Sequence, residues 1–305
     1  MDNSVTAHQA EEDERNEHIL IYVNGKIVSK KEAVVSVYDS GFMLGDGVWE
    51  GIRLHKGHLC FQQEHIDRLF EGADALQIRI GKSPSQLVDI IYKTLDANKM
   101  TSDVHIRVII SRGLKRTPYQ HPNANVGGPS IVIIPEYKKA DSRMIKNGIR
   151  LCSVETIRGP QNAQDPRLNT LSKLNCIAAC IEADMKGYDE AIMLDIDGNV
   201  STCNSTNFFI VKNSEVWTSN GEYCLPGITR GNIIKLCQKN NIPIFEKNFT
   251  MEDVYSADEV FVTGTFAGVI PGIEIEGNVI NNGKRGEITV QLYNFYKQKI
   301  QDLYG

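Results

Sequence analysis

One stretch of this 305-residue chain constrains its fold more than any other. Across residues 137–147 the sequence is charged and carries no apolar stripe, while both helical and strand-like patterns lie on either side of it. A segment with no stripe to bury has no core of its own and reads as a connection between two parts that do. With 41% hydrophobic and 23% charged residues, the chain has apolar surface enough for two ordinary cores. The expectation is a small N-terminal α+β domain over residues 18–137, a linker over 138–148 and a larger C-terminal domain over 149–305.

The first 17 residues are polar, with the acidic run Glu11-Glu12-Asp13-Glu14, and are expected to be a disordered tail. Asn24-Gly25 between two apolar runs is a hairpin signal, because that pair supplies the two positive φ angles of a tight turn. Residues 33–38 alternate, and glycines recur at 41, 45, 47 and 51. Helices are predicted over 61–77, with Ile66, Leu69, Phe70 and Ala73 on one face, and over 84–98 after Ser83. Strands are predicted over 104–111 and 131–135.

In the second half, a strand over 149–156 precedes a helix over 171–186, whose Leu174, Ile177, Ala178 and Ile181 fall at helical spacing before Gly187. A hairpin turned at Asp197-Gly198, strands over 208–211 and 259–263, and helices over 231–238 and 288–304 complete it. Asp195-Ile196-Asp197-Gly198-Asn199 lacks the closing glutamate of a calcium loop and reads as a turn.

A net charge of −5 offers no basic field for nucleic acid or an anionic membrane. The longest early apolar run, residues 19–23, is too short to span a bilayer or serve as a signal segment. A cytoplasmic protein with seven reduced cysteines is expected. Cys176 and Cys180 lie one helical turn apart without a histidine pair, so buried thiols are expected and no metal site.

A phosphate-bearing ligand needs a helix N-terminus and an arginine. Gly227-Ile228-Thr229-Arg230 precedes a helical pattern, and Gly264-Thr265-Phe266 follows an apolar strand. On composition alone, Thr229 is a helix cap and Gly264 a turn.

Val48-Trp49-Glu50-Gly51-Ile52-Arg53, His65-Ile66-Asp67-Arg68-Leu69, Ile106-Arg107, Gly187-Tyr188-Asp189-Glu190-Ala191, residues 225–230 and Gly264-Thr265 occur in that order. This succession resembles the class IV aminotransferases, enzymes of pyridoxal 5'-phosphate (PLP), and its first half is most similar to the branched-chain branch. The resemblance implies the two-domain α+β architecture of PLP fold type IV, with the cofactor between the domains, and a homodimer whose pocket is completed across the subunit interface. It implies that Arg68, Ile228, Thr229 and Thr265 bind the cofactor phosphate. It implies that Trp49, His105, Arg107 and Phe266 face substrate, with Arg107 on its carboxylate. His105 replaces a family tyrosine, and Leu44 replaces another near the pocket mouth. Without the resemblance, Arg68 would be a surface arginine paired with Glu64.

Two positions depart from the family. Aligned without gaps, and held in register by Gly187, Asn169 falls where the family carries its Schiff-base lysine. Thr202 falls where it carries the glutamate that keeps the pyridine nitrogen protonated. A threonine hydroxyl can donate to a neutral ring nitrogen but lacks a carboxylate's charge. Lys173 is the nearest amine. If the helix has begun, it stands one turn, about 6 Å, along the same face from Asn169. It then either forms the Schiff base, with an apolar setting favouring the free amine, or pairs with a phosphate or carboxylate. The resemblance points to an aminotransferase moving an amino group between an amino acid, branched-chain by analogy, and a 2-oxo acid. The alternatives are a lyase of the aminodeoxychorismate type and a PLP-binding protein without transaminase activity.

Overall fold

The structure, a computed structural model, describes residues 6–8 and 10–305, which separate into two compact units. The N-terminal unit comprises Glu11–Lys139, the short excursion Leu168–Lys173, and Tyr304–Gly305. The C-terminal unit comprises Ala140–Arg167 and Leu174–Leu303, with the described residues before Glu11.

The N-terminal unit runs β1 (Leu20–Val23), β2 (Lys26–Ser29), α1 (Ser40–Leu44), β3 (Gly47–His55), β4 (His58–Leu59), α2 (Gln62–Ala75), α3 (Pro84–Ala97), β5 (Val104–Ser111) and β6 (Ser130–Tyr137). Its strands form one antiparallel sheet in the order β2-β1-β6-β5-β3-β4. Asn24 and Gly25, at φ 48° and 95°, turn β1 into β2 as the sequence signals. Alternation then sorts the side chains, since successive residues of a strand point to opposite faces. Val48, Ile52 and Leu54 of β3, the even-numbered Val104, Ile106, Val108 and Ile110 of β5, and Ile131 and Ile133 of β6 are buried with α2 and α3 in one cluster. Ile66, Leu69 and Ala73 are buried from α2, with Phe70 at the margin. Ser83 caps α3, its hydroxyl and the Gln86 side chain exchanging hydrogen bonds with backbone amides.

The C-terminal unit runs α4 (Ser142–Asn147), β7 (Ile149–Ser153), α5 (Gln161–Gln164), α6 (Leu174–Met185), β8 (Glu190–Leu194), β9 (Val200–Cys203), β10 (Asn207–Lys212), β11 (Glu215–Thr218), α7 (Ile228–Lys239), β12 (Ile244–Glu246), α8 (Met251–Tyr255), β13 (Glu259–Gly264), β14 (Gly268–Ile275), β15 (Asn278–Val279) and α9 (Glu287–Tyr304). Its sheet runs β12-β11-β10-β13-β14-β7-β8-β9, with β15 on β14, and is parallel where β7 meets β8 and β14 and where β11 meets β12. Phe208, Ile210, Val260, Val262 and Ile270 lie in its main core.

Several expectations are corrected. Residues 33–38 form no strand: Val34, Val35 and Val37 are 73%, 47% and 66% exposed, so their alternation has no sheet to bury against. Within the stretch expected to be a linker, Asp141 caps the short helix α4. The part of the acidic tail that is described is held, with Ala10 bridged to Ala140 and Asn16 bonded to both backbone groups of Tyr137. Residues 1–5 and 9 lie outside the described residues. Helix α6 begins at Leu174, three residues later than its periodicity suggests, and its apolar stripe faces outward. Leu174, Ile177 and Ile181 are more than half exposed, and the buried contacts to β7 and β8 come from Ala179 and Ala183.

Candidate functional site

In the N-terminal unit the face of the sheet opposite the helices carries Trp49, Gly51 and Arg53 from β3, and His105, Arg107 and Ile109 from β5. Ile134 and Glu136 join them from β6. Cross-strand register sets Arg53 beside His105 and His105 beside Glu136, with Gly51, Arg107 and Ile134 in the next row. The Arg107 guanidinium lies 3.8 Å from the centre of the Trp49 ring, a cation–π contact that fixes the direction of its fork. Gly51 leaves room for this row, because a Cβ there would stand 2.9 Å from the His105 ring. Three of the residues expected to face substrate, Trp49, His105 and Arg107, thus share one surface.

The segment Leu168–Lys173 lies along β3 as a partial extra strand. Trp49 donates its backbone N–H to the Asn169 carbonyl at 3.0 Å, and Leu171 donates to the Gly47 carbonyl at 2.9 Å. The Trp49 indole N–H reaches the Thr170 carbonyl at 3.2 Å. Glycine is required opposite it. A Cβ on Gly47 would stand 2.6 Å from Leu171 Cδ1, and one on Gly45, at φ 66°, would stand 3.1 Å from Ser172 Cα. Asn169 is 6% exposed, and the Lys173 Nζ donates to its Oδ1 at 3.1 Å, with the amine 5.4 Å from the Trp49 ring centre. Lys173 precedes α6, so helical stacking is not what joins the two side chains. The chain bends at Leu171 and brings the amine back.

Arg68 pairs with Glu50, not with Glu64. Its Nε and Nη2 donate to the two Glu50 oxygens at 2.7 and 2.8 Å, and His65 Nδ1 stands 2.7 Å from the same carboxylate. Glu50 and His65 side chains are fully buried, with Arg68 13% exposed. Burial alone would raise the Glu50 carboxyl, but the His65 hydrogen bond and the Arg68 charge outweigh it and bring it down to about 2. The carboxylate aims the guanidinium through two of its donors. Glu50 and His65 were not singled out from sequence as site residues, although both stand inside the quoted motifs. The pairing joins a strand to a helix 15 residues away, which periodicity does not reveal.

In the C-terminal unit, Gly227 precedes the first turn of α7, which no side chain caps. The first amides of a helix lack intrahelical partners and attract an anion. A Cβ on Gly227 would fall 2.0 Å from Asn207 Oδ1 and 3.3 Å from Arg230 Cβ, so a side chain there would displace the Asn207 amide. Ile228 and Thr229 supply the first helical amides. Thr229 lies inside the helix and is not its cap, and its hydroxyl is buried 3.4 Å from that of Tyr296. Thr265 and Phe266 form the turn between β13 and β14. The Phe266 side chain is in the core and stacks on His8, so only its backbone remains for a ligand. The buried hydroxyl of neighbouring Thr263 has no hydrogen-bond partner among the described residues.

Thr202 is 5% exposed on β9 and donates its hydroxyl to the Thr206 carbonyl at 2.8 Å. Its proton is therefore committed and its oxygen is left to accept. Thr206 links Thr202 to Glu190, whose carboxyl accepts from the hydroxyls of Ser205 at 2.7 Å and Thr206 at 3.0 Å. Burial pushes Glu190 up to about 7 against those hydrogen bonds. Glu190 belongs to a quoted motif, but its role emerges only from the fold.

PLP asks for a phosphate cradle, an amine and a partner for its ring nitrogen. The glycine-gated, uncapped start of α7 suits a phosphate dianion, and Arg68 is an oriented guanidinium. Lys173 supplies a held amine. Thr202, at the position that the resemblance assigns to the ring-nitrogen partner, has a hydroxyl oxygen in place of a carboxylate. Taken unit by unit, these groups have the chemistry the cofactor asks for, with a neutral hydroxyl where a carboxylate would be at Thr202. Among the described residues no cluster of three metal-binding side chains occurs, and no helix is long and apolar enough to cross a membrane.

Comparison with known proteins matches residues 47–275 to a family model described as amino-transferase class IV. A Methanocaldococcus jannaschii protein, provisionally named as a branched-chain-amino-acid aminotransferase, is 39% identical over 286 residues, 93% of this chain and 96% of its own length. Branched-chain-amino-acid aminotransferase-like protein 2 of Arabidopsis thaliana is 38% identical over 93% of this chain but 50% of its own, so this chain spans about half of that relative. Among solved structures, the branched-chain amino acid aminotransferase of Escherichia coli aligns with a TM-score of 0.86 and 27% identity, covering 92% of this chain and 94% of that one. The PLP form of the Thermobaculum terrenum enzyme shares the fold at a TM-score of 0.83 and 22% identity, covering 93% and 94%.

Proposed function

We propose, from the premise that this chain belongs to the class IV aminotransferase family and has PLP fold type IV, that it is a PLP-dependent aminotransferase passing an amino group from an amino acid to a 2-oxo acid. The observation that carries this reading is the Lys173 amine, held 3.1 Å from the side chain of Asn169, the residue at the family lysine position. When bound, PLP supplies an electron sink for the carbanion left when substrate loses its Cα proton. This chain's own groups do the rest. Lys173 Nζ would be the amine that holds the cofactor, and it would take and return the proton at substrate Cα. Arg107, steadied over Trp49, binds the substrate carboxylate, joined by the backbone amides of Thr265 and Phe266. Arg68 and the α7 amides of Ile228 and Thr229 bind phosphate. A branched-chain donor is supported by the names of the relatives.

Borohydride reduction of PLP-saturated protein, followed by peptide mapping, tests this reading. A pyridoxyl adduct on the Lys173 peptide, absent in Lys173→Ala, is expected. An unmodified Lys173 in protein that demonstrably holds PLP would overturn the mechanism. A PLP-binding protein without transamination is the second reading, and the committed Thr202 hydroxyl favours it. Binding without amino transfer after addition of donor and acceptor would establish it, and an elimination product would point to the lyase.

A homodimer is part of the proposal. Val34, Val37 and Phe42 in the N-terminal unit are 73%, 66% and 69% exposed, and Leu174 and Met185 on α6 are 75% and 83% exposed. Apolar patches of this kind suit a second copy of the chain. The seven cysteines are all unpaired thiols, which supports a reducing, cytoplasmic setting.

A further inference from the structure

We infer that Asn169 is a positioning residue that works as one unit with Lys173: its side-chain carbonyl holds the lysine amine at the place where the family carries the amine itself. This deepens the proposed function and rests on its reading of Lys173 as the reactive amine.

Three independent features fix the geometry. The Asn169 backbone is pinned to β3 by the Trp49 amide, and the indole of the same tryptophan holds the next carbonyl. The path from Asn169 to Lys173 is confined by Gly45 and Gly47, where a side chain would collide with Ser172 and Leu171. The references for the amine include Asn169 Oδ1 at 3.1 Å and the Trp49 ring at 5.4 Å.

The chemistry explains why an amide suits this place. A carboxylate at 169 would form an ion pair and hold the lysine protonated, suppressing the free amine that attacks an aldehyde. An aliphatic residue would remove the acceptor that stands 3.1 Å from the amine. An amide oxygen accepts from the nitrogen in either protonation state, so it orients the amine without locking in its charge.

The pairing is testable without cofactor. In the cofactor-free protein, lysines are labelled by reductive methylation with ¹³C-formaldehyde, and the Lys173 resonance is identified by its loss in Lys173→Arg. Its titration midpoint is then followed by NMR. Asn169→Asp, nearly identical in shape, is expected to raise the midpoint by about one unit or more, as an opposite charge at hydrogen-bond distance does. Lysines elsewhere should not move. In PLP-saturated protein, Asn169→Leu is expected to lower the borohydride-trapped yield on Lys173 at least tenfold, and Asn169→Gln to recover part of it. The exchange Asn169→Lys with Lys173→Asn is expected to move the adduct to position 169. An unmoved Lys173 titration in Asn169→Asp, or an unchanged adduct yield in folded Asn169→Leu, would overturn the pairing. If the titration shifts but no variant nor the parent yields an adduct, the pairing stands and the cofactor reading falls.

Discussion

Glu50 is a charge buried between β3 and α2, and its two partners set what its loss would do. Removing one member of a buried, hydrogen-bonded ion cluster leaves the other charge uncompensated, at a cost of about 3–5 kcal/mol. Glu50→Gln should therefore lower the urea-unfolding free energy by roughly that amount. A loss below about 1 kcal/mol would mean that Arg68 finds another anion. The pH dependence has a definite sign. A carboxyl brought from 4.5 to about 2 contributes stability that is fully present above pH 4.5 and is lost as pH falls toward 2. The sequence made Arg68 legible through its motif but not its partner, because the wrong carboxylate, Glu64, stands nearer along the helix. Asn169 and Thr202 were legible as departures. Their consequences were not, since these depend on where one hydrogen bond points.

At the scale of elements, the β8–β9 hairpin carries the opposite titration. Glu190 is raised to about 7, chiefly by burial, so the folded state keeps a proton that the unfolded chain releases near 4.5. Stability should fall as pH rises through that window, by up to about 1.4 kcal/mol per pH unit. Urea unfolding at pH 5 and 7 measures it, and Glu190→Gln should flatten the slope. An equal slope in that variant would place the titrating group elsewhere. Elements with cap and turn chemistry, such as the Asn24-Gly25 hairpin and the Ser83-capped α3, were legible because their signals are local. β3 was legible as a motif but not as a strand, since Gly47 and Gly51 lower strand propensity and are present for close approach. Helix α6 misled because two alanines allow it near the sheet, leaving its larger residues outside. Residues 33–38 misled because alternation reports a strand only where one face is buried.

At the scale of the whole molecule, the exposed apolar residues predict a concentration-dependent association. Sedimentation should find a dimer at micromolar concentration, and Val37→Lys with Phe42→Glu should weaken it at least tenfold. A monomer in the parent protein would remove the second copy from the functional reading. The charged segment around residue 140 pointed to two domains, and the chain separates into two compact units. The exchange of Leu168–Lys173 between units was not legible, because nothing in six residues announces that they will pair with a strand more than a hundred positions earlier. That exchange makes the two units topologically inseparable by a single cut. A protein divided at residue 139 would leave the first piece without the strip that covers Gly45, Gly47 and Trp49, and the second piece would keep the amine without its tryptophan. In this chain the boundary between domains and the boundary of the chemistry are different lines, and no truncation can follow both.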